Sequence, residues 1–259
     1  MTMKLVVGML LTVIFHQKIM LILAQDIIKY SGRLPLALVT LGSHLQGSSI
    51  EEWGYELEKL KSIPHCDIQK ILKISFDGLD DETQTVFLDI ACAFHGFYEH
   101  EVTEMVNACG FHAKSAIATL VQKYLLQRSW NILEMHDLVR DMGREVVRME
   151  SARDPGKRSR LFIPQEVCDV LQGNKGSKKV EVLKVDRREF RGVNLSTKAF
   201  KKKKTLRVLI MDKLHISGDF ELLSKELRWL SWKKFPLKCI PSNFPVENLV
   251  VLNMRESDI

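Results

Sequence analysis

The sequence predicts a mainly α-helical protein with a winged-helix domain, followed by the start of an α/β leucine-rich-repeat solenoid. Three observations predict this fold class. Apolar residues recur at helical spacing up to Val147, a short alternating segment around Trp130 interrupts the helices, and an apolar-x-x-apolar-x-apolar pattern repeats after residue 175. Helices, then a hairpin, then another helix is the order of a winged-helix domain. A length of 259 residues allows one large domain or two to three small ones.

Residues 1–24 form an apolar leader with three interpretations. Lys4 before the apolar run 5–15 is typical of a signal peptide. A membrane span needs about 20 apolar residues, and His16-Gln17-Lys18 interrupts one here. We favour the third interpretation, a misassigned start, because the sequence that follows is typical of a cytosolic protein. We therefore expect a cytoplasmic location, with the nucleus as an alternative and membrane association only if residues 1–24 are genuine.

The helical part is predicted from apolar spacing and from helix-start patterns. Leu34-Pro35 opens one helix, because proline is tolerated in a first turn. Ser49 and Glu52 fit a capping box, as do Asp81 and Gln84. Further helices are expected around 68–76, 86–94, 102–109 and 115–124, the second of these with an apolar stripe at 86, 87, 90, 91 and 94. Residues 125–135 suit a hairpin turning at Ser129-Trp130-Asn131, and a last helix begins near Met135.

The second part is predicted as a repeat. Four segments fit the template at starts 26, 21 and 22 residues apart: Val180/Leu183/Val185, Leu206/Leu209/Met211, Leu227/Leu230/Trp232 and Leu249/Leu252/Met254. That period lies within the ~20–29 residues of leucine-rich repeats. The net charge changes sign at the same place. Residues 1–174 contain 18 basic and 22 acidic side chains (net −4), whereas residues 175–259 contain 20 basic and 10 acidic side chains (net +10). We therefore predict a boundary near residues 173–176.

Motif absences argue against enzymatic activity. The sequence contains no GxxxxGK[ST], GxSxG or HExxH pattern, and its five cysteines lack the CxxC spacing of a zinc site or the pairing of a disulfide framework. We therefore expect a non-enzymatic protein of a reducing compartment, without a metal.

His136-Asp137 is the candidate site, and its chemistry has four interpretations. The pair could be a general base, a fragment of a metal site or a plain helix start, although Arg140 stands where an i, i+4 ligand would be needed. A helix start agrees best with the apolar run that follows, with Asp137 capping the helix or lying in its first turn. In the fourth interpretation, the histidine presents a ring N–H to a phosphate at the helix N-terminus.

Several segments together resemble one family, the plant TIR-type nucleotide-binding leucine-rich-repeat disease-resistance proteins. "GRLPLAL" (32–38) is similar to its GLPLA motif, "VFLDIACAFHGF" (86–97) to its FLDIACFF motif and "MHDLVRDMGREVV" (135–147) to its MHD motif. "DPGKRSRLF" (154–162) resembles the linker into the repeats. The resemblance implies the C-terminal end of the helical ARC subdomain at 25–63, a winged-helix domain at 64–174 and the first leucine-rich repeats at 175–259.

The resemblance also implies a function and three site residues. Family members rest with ADP and are activated by exchange for ATP, and their repeats mediate recognition of a pathogen effector or a host guard protein, or autoinhibition. His136 corresponds to the histidine that contacts the ADP β-phosphate, Asp137 supports that loop, and Pro35 packs on the adenine side. A family oligomer is a further implied partner. Without a TIR domain or P-loop in this sequence, we expect ADP to bind weakly or not at all.

Two other functions stay open from sequence. A winged helix suits a DNA-binding protein, but Glu99, Glu101 and Glu104 make the helical region acidic, so we expect no nucleic-acid partner. A genuine leader would instead suit a membrane-anchored adaptor or decoy. The lysine run 201–204 is interpreted as a solvated loop between repeats, with an acidic partner or nucleic acid as the alternative.

Overall fold

The computed structural model describes residues 18–28, 38, 45, 48–62, 66–185, 190 and 195–258. The chain divides into two units, with the boundary between Gly78 and Leu79. The predicted helix start at Pro35 and residues 1–17 of the leader lie outside the described residues. Nowhere in the described ranges is there a helix long and apolar enough to cross a membrane.

The described part of the first unit is helical. Residues 18–28 form one helical stretch, and two further helices are α1 (Ile50–Ser62) and α2 (Cys66–Asp77). The capping box predicted at Ser49 is confirmed: its backbone N–H donates to Glu52 Oε2 over 2.6 Å, and Glu52 N–H donates to Ser49 Oγ over 3.3 Å. Two otherwise unsatisfied amides at the start of α1 are thereby paired.

The second unit begins with four helices and a hairpin. The helices are α3 (Asp81–Asp89), which continues as a π-helical turn (Ile90–Phe94), α4 (Glu99–Ala108), α5 (Ala113–Gln122) and α6 (Asp137–Met149). The cap predicted at Asp81 is wrong by one residue. Asp80 has an extended backbone and accepts the Thr83 N–H over 2.9 Å, whereas Asp81 is already helical. A carboxylate one residue earlier reaches the free amides better.

The second half of the α3–π-turn segment, residues 86–94, is buried on every side. The expected stripe at 86, 87, 90, 91 and 94 is buried, but so are Leu88, Asp89, Cys92 and Ala93 between its members. Helices α5 and α6 pack against this segment, and so does a strand of the second half of the unit. The one-sided amphipathic stripe was therefore an incomplete prediction, because this segment has a second packing partner.

The hairpin prediction is confirmed. Strands β1 (Gln127–Ser129) and β2 (Ile132–Glu134) pair antiparallel, with Ser129 opposite Ile132. Trp130 and Asn131 form the two-residue turn, with φ of 50° and 65°. Positive φ at both central positions matches the twist of the flanking strands. The turn carries the chain back towards the start of α6.

A five-stranded sheet dominates the rest of the unit. Its order is β3 (Arg160–Leu161), β4 (Val182–Val185), β6 (Val208–Asp212), β8 (Trp229–Lys233) and β9 (Val251–Asn253), all parallel. Helix α7 (Pro164–Gln172) joins β3 to β4, and β5 (Leu195–Ser196) pairs separately with β7 (Ile216–Ser217). Single 3₁₀ turns lie at Pro155–Lys157, Thr197–Phe200 and Phe220–Leu222. Neither β3 nor α7 was predicted, since β3 lies in the segment interpreted as a linker and α7 follows it directly.

The register of the sheet aligns the repeated apolar positions. Leu183 pairs with Leu209, Leu209 with Leu230, and Leu230 with Leu252. All nine template positions in the first three segments are buried in one apolar core, with exposures of 2% or less. In β9 the Leu252 side chain is 41% exposed, although Leu249 and Met254 pack against the core. The apolar face of this sheet is thus continuous across the segments.

The lysine run is not a purely solvated loop, and that interpretation is corrected. Lys203 is fully buried, and its Nζ donates to the backbone oxygens of Lys175 (2.7 Å) and Ala199 (2.6 Å), whereas its three lysine neighbours are exposed. Burial, with a smaller contribution from Lys202, lowers the pKa of Lys203 to about 8. The ammonium group therefore ties the turn before β6 to the turn before β4.

Candidate functional site

His136 lies at the junction between the hairpin and α6. Its backbone is extended (φ −57°, ψ 141°), and its carbonyl oxygen accepts the Arg140 N–H over 2.9 Å, so it is the N-cap residue. Its side chain supplies the cap as well, because Nδ1 accepts the Leu138 N–H over 3.2 Å. Asp137 occupies the first helical position. Of the two placements left open for the aspartate, the structure supports the first turn.

The cap fixes which ring nitrogen of His136 carries hydrogen. An Nδ1 atom that accepts an N–H has no proton, so the neutral ring must be protonated at Nε2. Burial lowers the pKa of His136 below its ordinary value; Asp137 opposes the shift, and Arg140 adds to it. The ring is therefore neutral at pH 7, and its Nε2–H makes no hydrogen bond within the described part of the chain. This donor is available to an acceptor from outside.

Asp137 is engaged by an arginine of the same helix. Its Oδ1 lies 2.7 Å from Arg140 Nη2, with the carboxylate side chain 76% exposed and the arginine 21% exposed. An exposed pair of this kind is worth little in stability, about 0–1 kcal/mol. Its contribution is mainly to orientation, because it holds Arg140 beside the first turn of α6.

Arg140 and His95 extend the polar cluster next to His136. The His95 Nε2 atom lies 3.3 Å from the Met135 oxygen and 3.5 Å from Arg140 Nη1. Burial and then the Arg140 charge lower the pKa of His95, so this ring is neutral as well. Arg140 Nε is buried without a hydrogen-bond partner among the described residues. The start of α6 therefore combines a helix N-terminus, a free ring N–H and a cationic side chain, all of which favour an anion.

Helix α6 is held against α3 by a close contact and an arginine. A Cβ atom at Gly143 would lie 2.8 Å from Phe87 Cε1 and 2.9 Å from Ala91 Cβ, so only glycine permits this approach. Beside this contact, Arg144 Nε donates to the Ala91 oxygen over 3.2 Å, and its guanidinium lies over the Phe162 ring. These contacts fix the helix that carries His136.

Comparison with known proteins gives this arrangement a context. Residues 80–151 match the family described as disease resistance protein Roq1-like, winged-helix domain. Over 92% of the chain, it is 34% identical to disease resistance protein RUN1 of Vitis rotundifolia and 33% identical to TMV resistance protein N of Nicotiana glutinosa. A putative disease resistance protein of Arabidopsis thaliana is 37% identical over the same share. Over most of its length the chain is similar to plant TIR-NBS-LRR disease-resistance proteins.

These relatives are much longer than this chain. The matched region is 20% of RUN1, 20% of protein N and 23% of the Arabidopsis protein, so the chain spans about a fifth of the length of the disease-resistance proteins it matches. The matched winged-helix region contains β1, β2 and α6, and with them the whole cluster around His136.

The structure brings together two of the three predicted site residues. His136 and Asp137 are adjacent at the start of α6, whereas Pro35 lies outside the described residues. Sequence reasoning missed Arg140 and His95. The i, i+3 spacing of Asp137 and Arg140 was a usable indication of their ion pair. The position of His95, 45 residues from Arg140, carries no local pattern that could have revealed it.

Proposed function

We propose that this chain is part of an intracellular plant immune receptor, and that His136 contacts the β-phosphate of ADP in the resting state of an ADP/ATP-dependent switch. The observation that carries the proposal is the tautomer of His136. Because the Leu138 N–H is bonded to Nδ1, the only ring hydrogen is on Nε2, where a phosphate oxygen can accept it. A fixed donor at a helix N-terminus is suited to an anion.

The neighbouring charges support a phosphate ligand over a neutral one. Arg140 is held beside the same helical turn and has a buried Nε atom without a partner among the described residues. Burial keeps His136 neutral, so that it donates a hydrogen bond without repelling a nearby cation. Asp137 takes the supporting role: it orients Arg140 and does not meet the ligand itself. Pro35 is proposed for the adenine side on the resemblance alone.

The parallel sheet supports a second component of the proposal, the first leucine-rich repeats. The in-register leucines of β4, β6 and β8 form one apolar face, and each strand follows a turn at the same template position. We propose that these repeats belong to the part of the receptor that recognises a pathogen effector or a host guard protein, or that restrains the switch. The chain then acts through conformational change and recognition, without turnover.

Weak affinity is expected of this chain alone. A hydrogen bond to a charged group contributes about 1.5–3 kcal/mol, whereas association costs about 4 kcal/mol or more. Two such contacts, from His136 and Arg140, therefore leave at most about 2 kcal/mol, which corresponds to a dissociation constant of about 30 mM or weaker. Tighter binding would require contacts beyond those at the start of α6.

Histidine-resolved NMR on the whole chain tests the proposal. We expect ADP to shift the His136 ring signals with a midpoint of about 30 mM or above and to raise the pKa of His136, because a nearby anion favours the charged ring. Adenosine, which lacks phosphate, is the matched ligand control, and the His136→Ala variant identifies which ring signals belong to His136. Equal shifts with adenosine, or unchanged His136 signals at saturating ADP, would refute the phosphate contact.

A further inference from the structure

A buried carboxylate lies where the helices of the second unit meet its parallel sheet. Asp89, the last residue of α3, is 0% exposed. Arg160 of β3 places Nε 3.0 Å from Asp89 Oδ1. Arg207, next to the start of β6, places Nη2 3.1 Å from Oδ1 and 2.8 Å from Oδ2. One carboxylate on the helical side thus binds two guanidinium groups that both come from the sheet.

Each arginine also contacts the helical side at another point. Arg160 Nη2 donates to the Thr85 oxygen over 3.2 Å. Arg207 Nη1 lies 3.3 Å from Cys109 Sγ, and its guanidinium carbon lies 5.3 Å from the centre of the Phe111 ring. The two side chains are 6% and 12% exposed. They are therefore part of the packed interface and not a surface ion pair.

The two arginine charges at this site are balanced only while the carboxylates of Asp89 and Glu181 are both present. Arg207 also meets Glu181, whose carboxylate is 40% exposed, over 3.3 Å. Burial works against the charge of Arg207, but Asp89, Cys109 and Glu181 together outweigh it and raise the pKa of Arg207 above its ordinary value. Two carboxylates thus neutralise two guanidiniums. Removal of Asp89 would leave two buried cations facing helix carbonyls with one partly exposed carboxylate.

A buried ion pair and an apolar contact differ in how strictly they fix the position of the helices against the sheet. Apolar contacts between the same parts, such as Phe94 against Trp229 with ring centres 6.0 Å apart, tolerate small displacements. The Asp89 carboxylate accepts hydrogen bonds from both arginines at Oδ1, and its Oδ2 contacts Arg207 as an ion pair without a hydrogen bond, so a displacement would cost two directional bonds as well as charge attraction. The interface therefore has one preferred register.

We infer that Asp89 is an anchor that couples the winged-helix helices to the parallel sheet, so that the two open as one cooperative unit. The inference does not depend on nucleotide binding. It concerns a further role for the segment that supports the helix of His136, since Gly143 and Arg144 of α6 pack on Phe87 and Ala91 beside the anchor. The sheet, α3 and α6 thereby form a continuous set of contacts.

Hydrogen–deuterium exchange on the full chain, resolved by peptide, tests the anchor. In the unmodified chain we expect peptides of α3, β6 and β8 to share one opening free energy. In Asp89→Asn we expect the β6 and β8 peptides to exchange about a hundredfold faster or more, as for loss of one member of a buried ion pair. Peptides of α5 should change far less, because the sheet then opens without the helices.

Matched variants separate coupling from general destabilisation. Arg255→Gln removes the exposed partner of an ion pair between the same two parts, the 3.4 Å contact in which Arg255 is 67% exposed and Glu101 is 13% exposed, and should change exchange rates far less than Asp89→Asn does. In the double variant Asp89→Asn/Arg207→Gln, the loss of opening free energy should be smaller than the sum of the losses in the two single variants. If Asp89→Asn does not fold, the milder Arg207→Lys, which keeps the charge but loses the forked geometry, gives the same comparison. Equal acceleration in helices and sheet, an effect no larger than that of Arg255→Gln, or strict additivity would each overturn the inference.

Discussion

Alanine at Gly143 should weaken the packing that positions His136. The new methyl group would lie 2.8 Å from Phe87 Cε1 and 2.9 Å from the Ala91 methyl group. Neither neighbour is free to move away, because both are fully buried in the α3–π-turn segment. We therefore expect α6 to shift away from α3 and to carry its N-terminal histidine with it.

The magnitude follows from two opposing contributions. Overpacking of this kind costs about 1–3 kcal/mol, whereas replacing a glycine by alanine inside a helix gains about 1 kcal/mol. The expected result for Gly143→Ala is a net loss of up to about 2 kcal/mol in local stability, which is about a thirtyfold faster exchange of protected amides. Gly54→Ala in α1 is the matched control, since a methyl group at that position would meet nothing within 4 Å.

Amide exchange and helix stability are measured for both variants under the same conditions. Gly54→Ala should slow exchange in α1, because only the propensity gain applies there. Gly143→Ala should accelerate exchange in α6 and alter the His136 ring signals. A slower exchange in α6, similar to that in α1, would refute the argument that the close contact requires glycine.

Two further predictions concern residues whose roles the structure corrected. Asp80→Ala should destabilise α3 more than Asp81→Ala, because only Asp80 accepts the Thr83 N–H, and urea unfolding of both variants checks the order. The pKa of Lys203 is lowered to about 8 from the 10.5 of an unfolded lysine. Between about pH 8 and pH 10.5 the unfolded chain binds more protons at this lysine than the folded chain does. The free energy of unfolding should therefore rise with pH over this range, by up to about 3 kcal/mol relative to that of Lys203→Met. A Lys201→Met control should keep the pH profile of the unmodified chain, because Lys201 is exposed and is not among the groups that shift the pKa of Lys203. A profile of Lys203→Met parallel to both would contradict the prediction.

Local patterns predicted the elements whose causes are local. The hairpin followed from Ser129-Trp130-Asn131, because the last two of these residues are the ones that take positive φ. The register of β4, β6 and β8 followed from the spacing of Leu183, Leu209 and Leu230, because each strand repeats the same apolar positions. In both cases the deciding residues lie within a few positions of one another or recur at similar spacings, 26 and 21 residues for the three leucines.

Other features depend on partners far along the chain, which no local pattern contains. Asp89 and Arg160 are 71 residues apart, and Asp89 occupies what looked like the polar side of an amphipathic helix. Lys203 stands in a run of four lysines, and its hydrogen bonds to the Lys175 and Ala199 oxygens distinguish it from its exposed neighbours. β3 has two residues, too few to show an alternation. Such positions become visible only when tertiary contacts bring their partners together.

The geometry of His136 and Asp137 also decides between the interpretations of this pair. In an acid–base dyad the carboxylate accepts a hydrogen bond from Nδ1–H of the histidine and thereby orients it. Here Nδ1 is itself an acceptor, from the Leu138 N–H, and the Asp137 carboxylate is turned to Arg140. The aspartate therefore cannot orient the ring as a base. The same backbone hydrogen bond that removes this role creates the Nε2–H donor, so the cap of α6 and the proposed phosphate contact are two consequences of one interaction.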